Sequence, residues 1–285
     1  MKKLVVISGK GGTGKTTIAG SFALLAKEKV LADCDVDASN LPLILGVKPI
    51  KEEPFSGSQV AVVDFNRCTE CGICEKKCPF EAISEVNKID PLRCEGCGVC
   101  AFLCPAKAIE MVPRQSGKII EAETRYGPLI YGELAVGEEA SGKLVTAVRK
   151  KAEERAGELS IPLMIIDGSP GIGCPVIASL AGVDYALIVT EPTLSGIHDL
   201  ARVIALAKHF RIKAGVVINK YDINERISKE IESYCGKEGT SIVGRLPYDK
   251  TAYQAVVAGK SIVQFPESPL AKEITRLWQR VQSIL

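Results

Sequence analysis

The stretch SGKGGTGKTT, residues 8–17, decides the fold. It lies between a short apolar run at residues 3–7 and a segment that repeats Ile18, Phe22 and Leu25 at helical spacing. Residues 9–16 fit G-x-x-x-x-G-K-[ST], and a strand before and a helix after are the context this pattern needs. Gly9, Gly11, Gly12 and Gly14 permit a tight turn in which backbone N–H groups converge on phosphate oxygens. The helix that opens at Lys15 points its positive dipole end at the same place. Residues 9–17, Thr13 and Thr17 included, are therefore the expected ATP- or ADP-binding loop. Lys15 is expected on the β- and γ-phosphates, and the Thr16 hydroxyl on Mg²⁺.

Outward from the loop the chain alternates. VLADCD reads as a second strand, and residues 42–57, rich in Pro and Gly, as a junction. Residues 127–136 read as one or two strands and residues 142–155 as a helix. PLMIID and DYALIVT are strands. Residues 195–210 form a helix with Leu200, Val203, Ile204 and Ala207 on one face. AGVVIN and SIVGRLP follow as strands, with a helix around residues 224–235 between them. Alternation of this kind predicts an α/β fold with a doubly wound, mostly parallel sheet. The C-terminal stripe of Leu270, Ile274, Leu277, Trp278, Val281 and Ile284 predicts a helix docked on its own domain.

Residues 59–112 break the texture. CTECGICEKKCPFEAI and CEGCGVCAFLCPAKAI align without a gap at an offset of 26 residues. Each copy crowds four cysteines into eleven positions, C-x₂-C-x₂-C-x₃-C-P. Two Cys₄ zinc sites are the rival reading, but structural zinc sites usually set two close pairs apart. Eight of the eleven cysteines fall in this repeat, and the chain opens without an export-type apolar core, so metal or redox chemistry is expected over disulfides. Among the remaining three, Cys34, Cys235 and Cys174 are expected to fill space as small hydrophobes. The domain reading is one discontinuous domain, residues 1–58 with 113–285, and one insertion, residues 59–112.

The loop KGGTGKT, with Lys10 directly after the first glycine, resembles the deviant Walker A motif of the MinD, ParA and Mrp group of ATPases. That resemblance implies a P-loop ATPase in which Lys10 reaches across an ATP-dependent homodimer, or a heterodimer with a close paralogue, to the partner's phosphates. DCDVDASNL resembles the first switch of the group. It implies Asp35 as the residue that orients the attacking water, and Asp33 or Asp37 as supports of Mg²⁺ through water. LMIIDGSPGIG resembles the Walker B strand and second switch, which puts Asp167 near Mg²⁺ and a Gly171 N–H near the γ-phosphate. VINKYD and LPYDK resemble the adenine-side segments, which implies Asn219, Pro247 and Asp249 at the base. The cysteine run resembles that of bacterial two-cluster ferredoxins. That implies a small α+β inserted domain with Cys68, Cys71, Cys74 and Cys104 on one [4Fe–4S] cluster and Cys94, Cys97, Cys100 and Cys78 on a second.

With 36 basic and 34 acidic residues, the net charge of +2 carries no basic excess on the scale of a nucleic-acid binder. No apolar run approaches the roughly 20 residues of a membrane span. A cytoplasmic protein without nucleic-acid or membrane contact is expected. Its other partner is expected to be a redox or iron–sulfur protein. Two uses join the chemistries: nucleotide state gating electron transfer through two clusters, or ATP-dependent carriage and assembly of clusters. A MinD-like spatial organiser, with the clusters as a redox sensor, is a third.

Overall fold

The computed structural model describes residues 1–84, 87–138 and 142–285. They divide into two compact units: Met1–Glu53, Ile119–Glu133 and Ala140–Leu285 form the first, Pro54–Lys118 and Leu134–Glu139 the second.

The strands are β1 (Lys2–Ser8), β2 (Lys29–Asp33), β3 (Lys48–Phe55), β4 (Ser58–Val63), β5 (Ile109–Arg114), β6 (Gly117–Thr124), β7 (Gly127–Leu134), β8 (Leu163–Pro170), β9 (Tyr185–Thr190), β10 (Lys213–Asn219) and β11 (Ser241–Leu246). The helices are α1 (Lys15–Leu25), α2 (Leu41–Leu45), α3 (Ile73–Lys76), α4 (Val99–Leu103), α5 (Gly142–Glu158), α6 (Cys174–Leu180), α7 (Leu194–His209), α8 (Glu225–Lys237), α9 (Thr251–Val257) and α10 (Pro269–Ile284). Among the described residues one sheet runs β11-β10-β9-β1-β8-β2-β7-β6-β3. The pairings from β11 through β7 are parallel. The order is that of a doubly wound α/β protein, with β1 and β8 central. Leu4 to Ile7 are fully buried, as a strand covered on both faces requires.

Residues 42–57 contain the border between the two units, at Glu53 and Pro54, and are also structured. Pro42 opens α2 and Gly46, in the left-handed region at φ 61°, closes it, so the two residues act as start and stop signals. Strand β3 follows, mostly exposed and charged, at the sheet edge. An edge strand of this kind shows no apolar alternation. Strand β6 was likewise not anticipated; its inward residues are small or few, with Ile120 and Ala122 buried.

Helix α10 docks on the first unit. Leu270, Ile274, Leu277, Trp278 and Val281 are buried, and the Trp278 ring meets Phe22 of α1 at 4.9 Å between centroids. Ile284, the last residue of the expected stripe, is 45% exposed, while Leu285 beside it packs against the core.

The second unit pairs β4 with β5 antiparallel, from Ser58 opposite Arg114 to Val63 opposite Ile109. An isolated antiparallel bridge pairs Ile83 with Ile89 between the two cysteine repeats. The repeats fold alike: Gly72 and Gly98 stand at the starts of α3 and α4 with φ 70° and 76°, and Glu81 and Lys107 share φ 51° and 48°. Each pair is separated by the 26-residue offset of the sequence repeat.

Candidate functional site

In the first unit the phosphate loop joins β1 to α1. Gly14 caps α1 at φ 94° with no side chain on the helix N–H groups, which leaves them free for an anion. A β-carbon at Gly14 would lie 2.5 Å from Asn219 Nδ2, so the position excludes other residues on space as well as conformation. The Asn219 amide holds the loop from the far side: Nδ2 donates to the Thr13 carbonyl at 2.8 Å, and Oδ1 accepts from the Lys220 N–H at 3.0 Å.

Strand register brings the acidic residues together. Asp167 of β8 lies opposite both Val6 of β1 and Asp33 of β2. Both Asp33 oxygens are engaged: Oδ1 accepts from the Asp35 N–H at 3.0 Å, and Oδ2 from the Ser39 hydroxyl at 2.7 Å and the Leu41 N–H at 3.1 Å. Asp33 therefore organises the loop that carries Asp35 and Asp37. Burial and the neighbouring Asp167 carboxylate push Asp33 well above the ordinary carboxylate range. Asp35 is buried with its carboxylate 3.9 Å from Lys15 Nζ. Burial raises its pKa, and Lys15 opposes the rise. Asp37 is exposed.

Asp167 is fully buried, and neither of its carboxylate oxygens finds a hydrogen-bond partner among the described residues. Burial lifts its pKa to about 7, against the lowering effect of the nearby Thr16 hydroxyl and Lys15 ammonium. Thr13 Oγ1 is a second orphaned buried oxygen. Buried polar atoms without partners call for an explanation. A hydrated divalent cation between Thr16 and Asp167 supplies one, so the residues present fit Mg²⁺.

Lys10 does not point to the phosphate position. Its Nζ lies 2.6 Å from Glu191 Oε1 and 3.3 Å from the hydroxyls of Thr193 and Ser195. The other Glu191 oxygen meets Lys220 Nζ at 3.2 Å. The Gly171 N–H, expected at the γ-phosphate, donates here to the Ser8 carbonyl at 2.9 Å. Glu191 carries no motif in the sequence; the fold alone puts it beside Lys10.

A cavity of ≈ 280 Å³ opens beside the loop, lined in part by Gly12, Gly14, Thr17, Asn219, Pro247 and Asp249. Its size is at the low end for a small-molecule pocket. Asp249 faces the helix starts as well, accepting from the Ser268 hydroxyl at 2.5 Å and the Thr251 N–H at 2.8 Å. Tyr248, Lys250 and Tyr253 also line the cavity and were missed from the sequence. Their signal was available, because they flank Pro247 and Asp249 in LPYDKTAY.

In the second unit the cysteines gather crosswise. Cys68, Cys71, Cys74 and Cys104 line one cavity, and Cys78, Cys94, Cys97 and Cys100 line another. The two cavities are equal in volume, ≈ 20 Å³ each, in keeping with the repeat. Each crossing sulfur accepts a backbone N–H: Ala82 to Cys78 Sγ at 3.4 Å, and Ala108 to Cys104 Sγ at 3.3 Å. Burial raises the thiols of Cys74 and Cys100, the third cysteine of each repeat. Among the described residues no three His, Cys, Asp or Glu side chains close tightly enough for one metal ion. Four thiols around each space, one of them in each taking a backbone N–H, fit an iron–sulfur cubane in number and kind.

Of the other cysteines, Cys34 and Cys235 are buried, and burial raises both thiols, that of Cys235 to about 11. Cys174 is exposed at the start of α6, contrary to its expected space-filling role, because the helix begins outside the core.

Three relatives frame these sites. An uncharacterized protein of Methanocaldococcus jannaschii is 36% identical over 99% of this chain and 97% of its own length. An iron-sulfur cluster carrier protein of Pyrococcus horikoshii is 25% identical over 98% of this chain and 85% of its own. The septum site-determining protein MinD of Pyrococcus horikoshii, solved with Mg-ADP, shares the fold at a TM-score of 0.61 and 17% identity, covering 99% of this chain and 96% of that one. The family model of the CobQ/CobB/MinD/ParA nucleotide binding domain matches residues 4–262. The chain belongs to that family of nucleotide-binding proteins.

Proposed function

We propose that this protein is an ATP-hydrolysing switch, dimeric when ATP is bound, whose inserted second unit carries two [4Fe–4S] clusters and whose nucleotide state gates electron transfer through them. One observation carries the reading. A phosphate loop of a switch family shares its chain with two cavities, each ringed by four cysteines drawn from both repeats. Cys68, Cys71, Cys74 and Cys104 would hold one cluster, and Cys94, Cys97, Cys100 and Cys78 the other. Each cluster supplies one-electron chemistry when bound.

In the first unit, the loop N–H groups and Lys15 hold the phosphates and offset their charge. Asp167 and Thr16 would hold Mg²⁺. Asp35 would orient a water at the γ-phosphate, a role supported by its carboxylate lying 3.9 Å from Lys15 Nζ. Positioning and charge neutralisation carry most phosphoryl-transfer catalysis, so no further base is required. The 280 Å³ cavity is the place for the base, with Pro247 and Asn219 on its walls.

The test is electron delivery from dithionite-reduced, cluster-loaded protein to an oxidised ferredoxin, followed by stopped flow with and without Mg-ATP. The rate is expected to depend on ATP in the native chain and to be indifferent to it in Lys15→Ala. Equal rates with and without ATP in the native chain reject the gating.

A second reading, ATP-dependent cluster delivery, is favoured by the likeness to the Pyrococcus iron-sulfur cluster carrier protein. It competes poorly with a site in which all four ligands come from one chain. Transfer of clusters to an apo-ferredoxin, faster with ATP, would establish it in place of the first.

A further inference from the structure

We infer that Asn87 makes the two cluster sites electronically unequal, so that the cluster ringed by Cys68, Cys71, Cys74 and Cys104 takes the first electron. The inference rests on the two-cluster reading above. It starts from a broken symmetry. The repeats match in backbone twists, in N–H···S contacts and in cavity volume. They differ in the polar side chains that reach the cavities. Besides cysteine, the first cavity is lined by Thr69 and Asn87, and the second by Glu95, among the described residues. Thr69 and Glu95 are equivalent positions of the repeat. Asn87 has no equivalent: the residue 26 positions on is Pro113, in strand β5.

Asn87 is placed deliberately. It stands two residues before Ile89, which bridges Ile83, and has φ 54°, a left-handed conformation that asparagine tolerates. Its N–H donates to the Ser84 carbonyl at 2.8 Å. Its side chain is 5% exposed and sits with Oδ1 3.5 Å from Cys74 Sγ. Cys74 is a free thiol here and stands for the thiolate of a loaded site. A thiolate only accepts hydrogen bonds, and half a turn of the amide presents Nδ2–H to it at the same place.

Reduction adds one electron from an external low-potential donor, taking [4Fe–4S]²⁺ to [4Fe–4S]⁺ with no bond broken and no proton moved. A donor aimed at a ligand sulfur favours the reduced, more negative form, and hydrogen bonds to sulfur are among the terms that set cluster potential. Asn87 is buried, so that bond is less screened than one in open water. Glu95 acts the other way on the second cluster, more weakly, because it is exposed to water and salt.

The experiment is an EPR-monitored titration with dithionite of anaerobically reconstituted full chain, with iron counted first. The native chain is expected to bind about eight irons and to show two one-electron steps at different midpoints. Asn87→Gly keeps the left-handed backbone and removes the amide; it is expected to lower the higher midpoint about tenfold in reduction equilibrium, 59 mV for one electron, and leave the lower one in place. Asn87→Asp keeps shape and backbone and reverses the polarity; it is expected to lower the same midpoint at least as far. Asn87→Asp brings a charge of its own and so reports which cluster faces residue 87; a merely structural Asn87 would leave Asn87→Gly at the native potentials. Full loading with unmoved midpoints in Asn87→Gly, or movement of the lower midpoint instead, overturns the inference alone. A chain that binds far fewer irons overturns the two-cluster reading and the inference with it.

Discussion

Lys10 Nζ and Glu191 Oε1 stand 2.6 Å apart, joined across the loop between β9 and α7. The pair is partly exposed, and Lys220 shares the same carboxylate. If Lys10 serves a partner subunit's phosphates, this contact must open first. Its worth as a largely surface pair is about 0.5–1 kcal/mol. Because both protomers must open the contact, Glu191→Gln is expected to tighten ATP-dependent self-association by roughly 5–30-fold, measured by sedimentation with a non-hydrolysable ATP analogue. Lys10→Ala is expected to abolish it. Weaker association in Glu191→Gln would mean that the contact helps build the dimer instead of opposing it.

The buried Asp167 gives the metal-free protein a pH dependence. Its folded pKa of about 7 lies above the ordinary carboxylate value, so the folded state holds a proton that the unfolded chain releases. For an acid with a raised pKa, stability is greatest below the unfolded value and falls as pH rises through the folded one. The loss from this one group is about 2 kcal/mol between about pH 5.5 and 7. Urea unfolding in EDTA checks this, with Asp167→Asn expected to flatten the slope and Asp33 and Asp35, also raised, to keep the remainder. The same slope in both proteins would assign it elsewhere. Added Mg²⁺ is expected to stabilise the native chain more at high pH, where the carboxylate is ionised.

The phosphate loop was legible because its eight positions carry the chemistry locally, and strand and helix periods on either side confirm it. The crosswise grouping of Cys104 with Cys68 came through the resemblance to two-cluster ferredoxins, and the structure puts those sulfurs around one cavity. What the sequence hid was tertiary. Glu191 follows a strand like many acidic residues, and only folding sets it beside Lys10. Asn87 looks like a turn residue until its side chain is seen facing Cys74. Strand β3 lacks the apolar alternation that marks a half-buried strand, since it lies at an edge. Cys174 was assigned by the habit of its residue type, which says little about the first residue of a helix that starts outside the core.

Trp278 and Phe22 tie the C-terminal helix to the helix of the phosphate loop. Trp278 is 5% exposed and packs within the main core. Trp278→Ala leaves a cavity there and is expected to cost about 3–5 kcal/mol. Ile284→Ala, at a position 45% exposed, is expected to stay within about 0.5 kcal/mol of native. Urea midpoints at constant slope report both. A small effect at Trp278 would contradict the docking of α10.

The sharpest check on the cysteine cavities compares variants across the repeat. Cys104 belongs to the second copy in sequence but lines the first copy's cavity with Cys68. Cys104→Ala and Cys68→Ala are therefore expected to give one phenotype, and Cys78→Ala and Cys94→Ala the other. Each is expected to lower bound iron from about eight to about four per chain. The EPR signal of the surviving cluster should be shared by Cys104→Ala and Cys68→Ala. Grouping within a copy predicts instead that Cys104→Ala matches Cys94→Ala. Spectra that pair by sequence repeat would overturn the crosswise ligand sets, and an iron count unchanged by all four would remove the clusters from these cavities altogether.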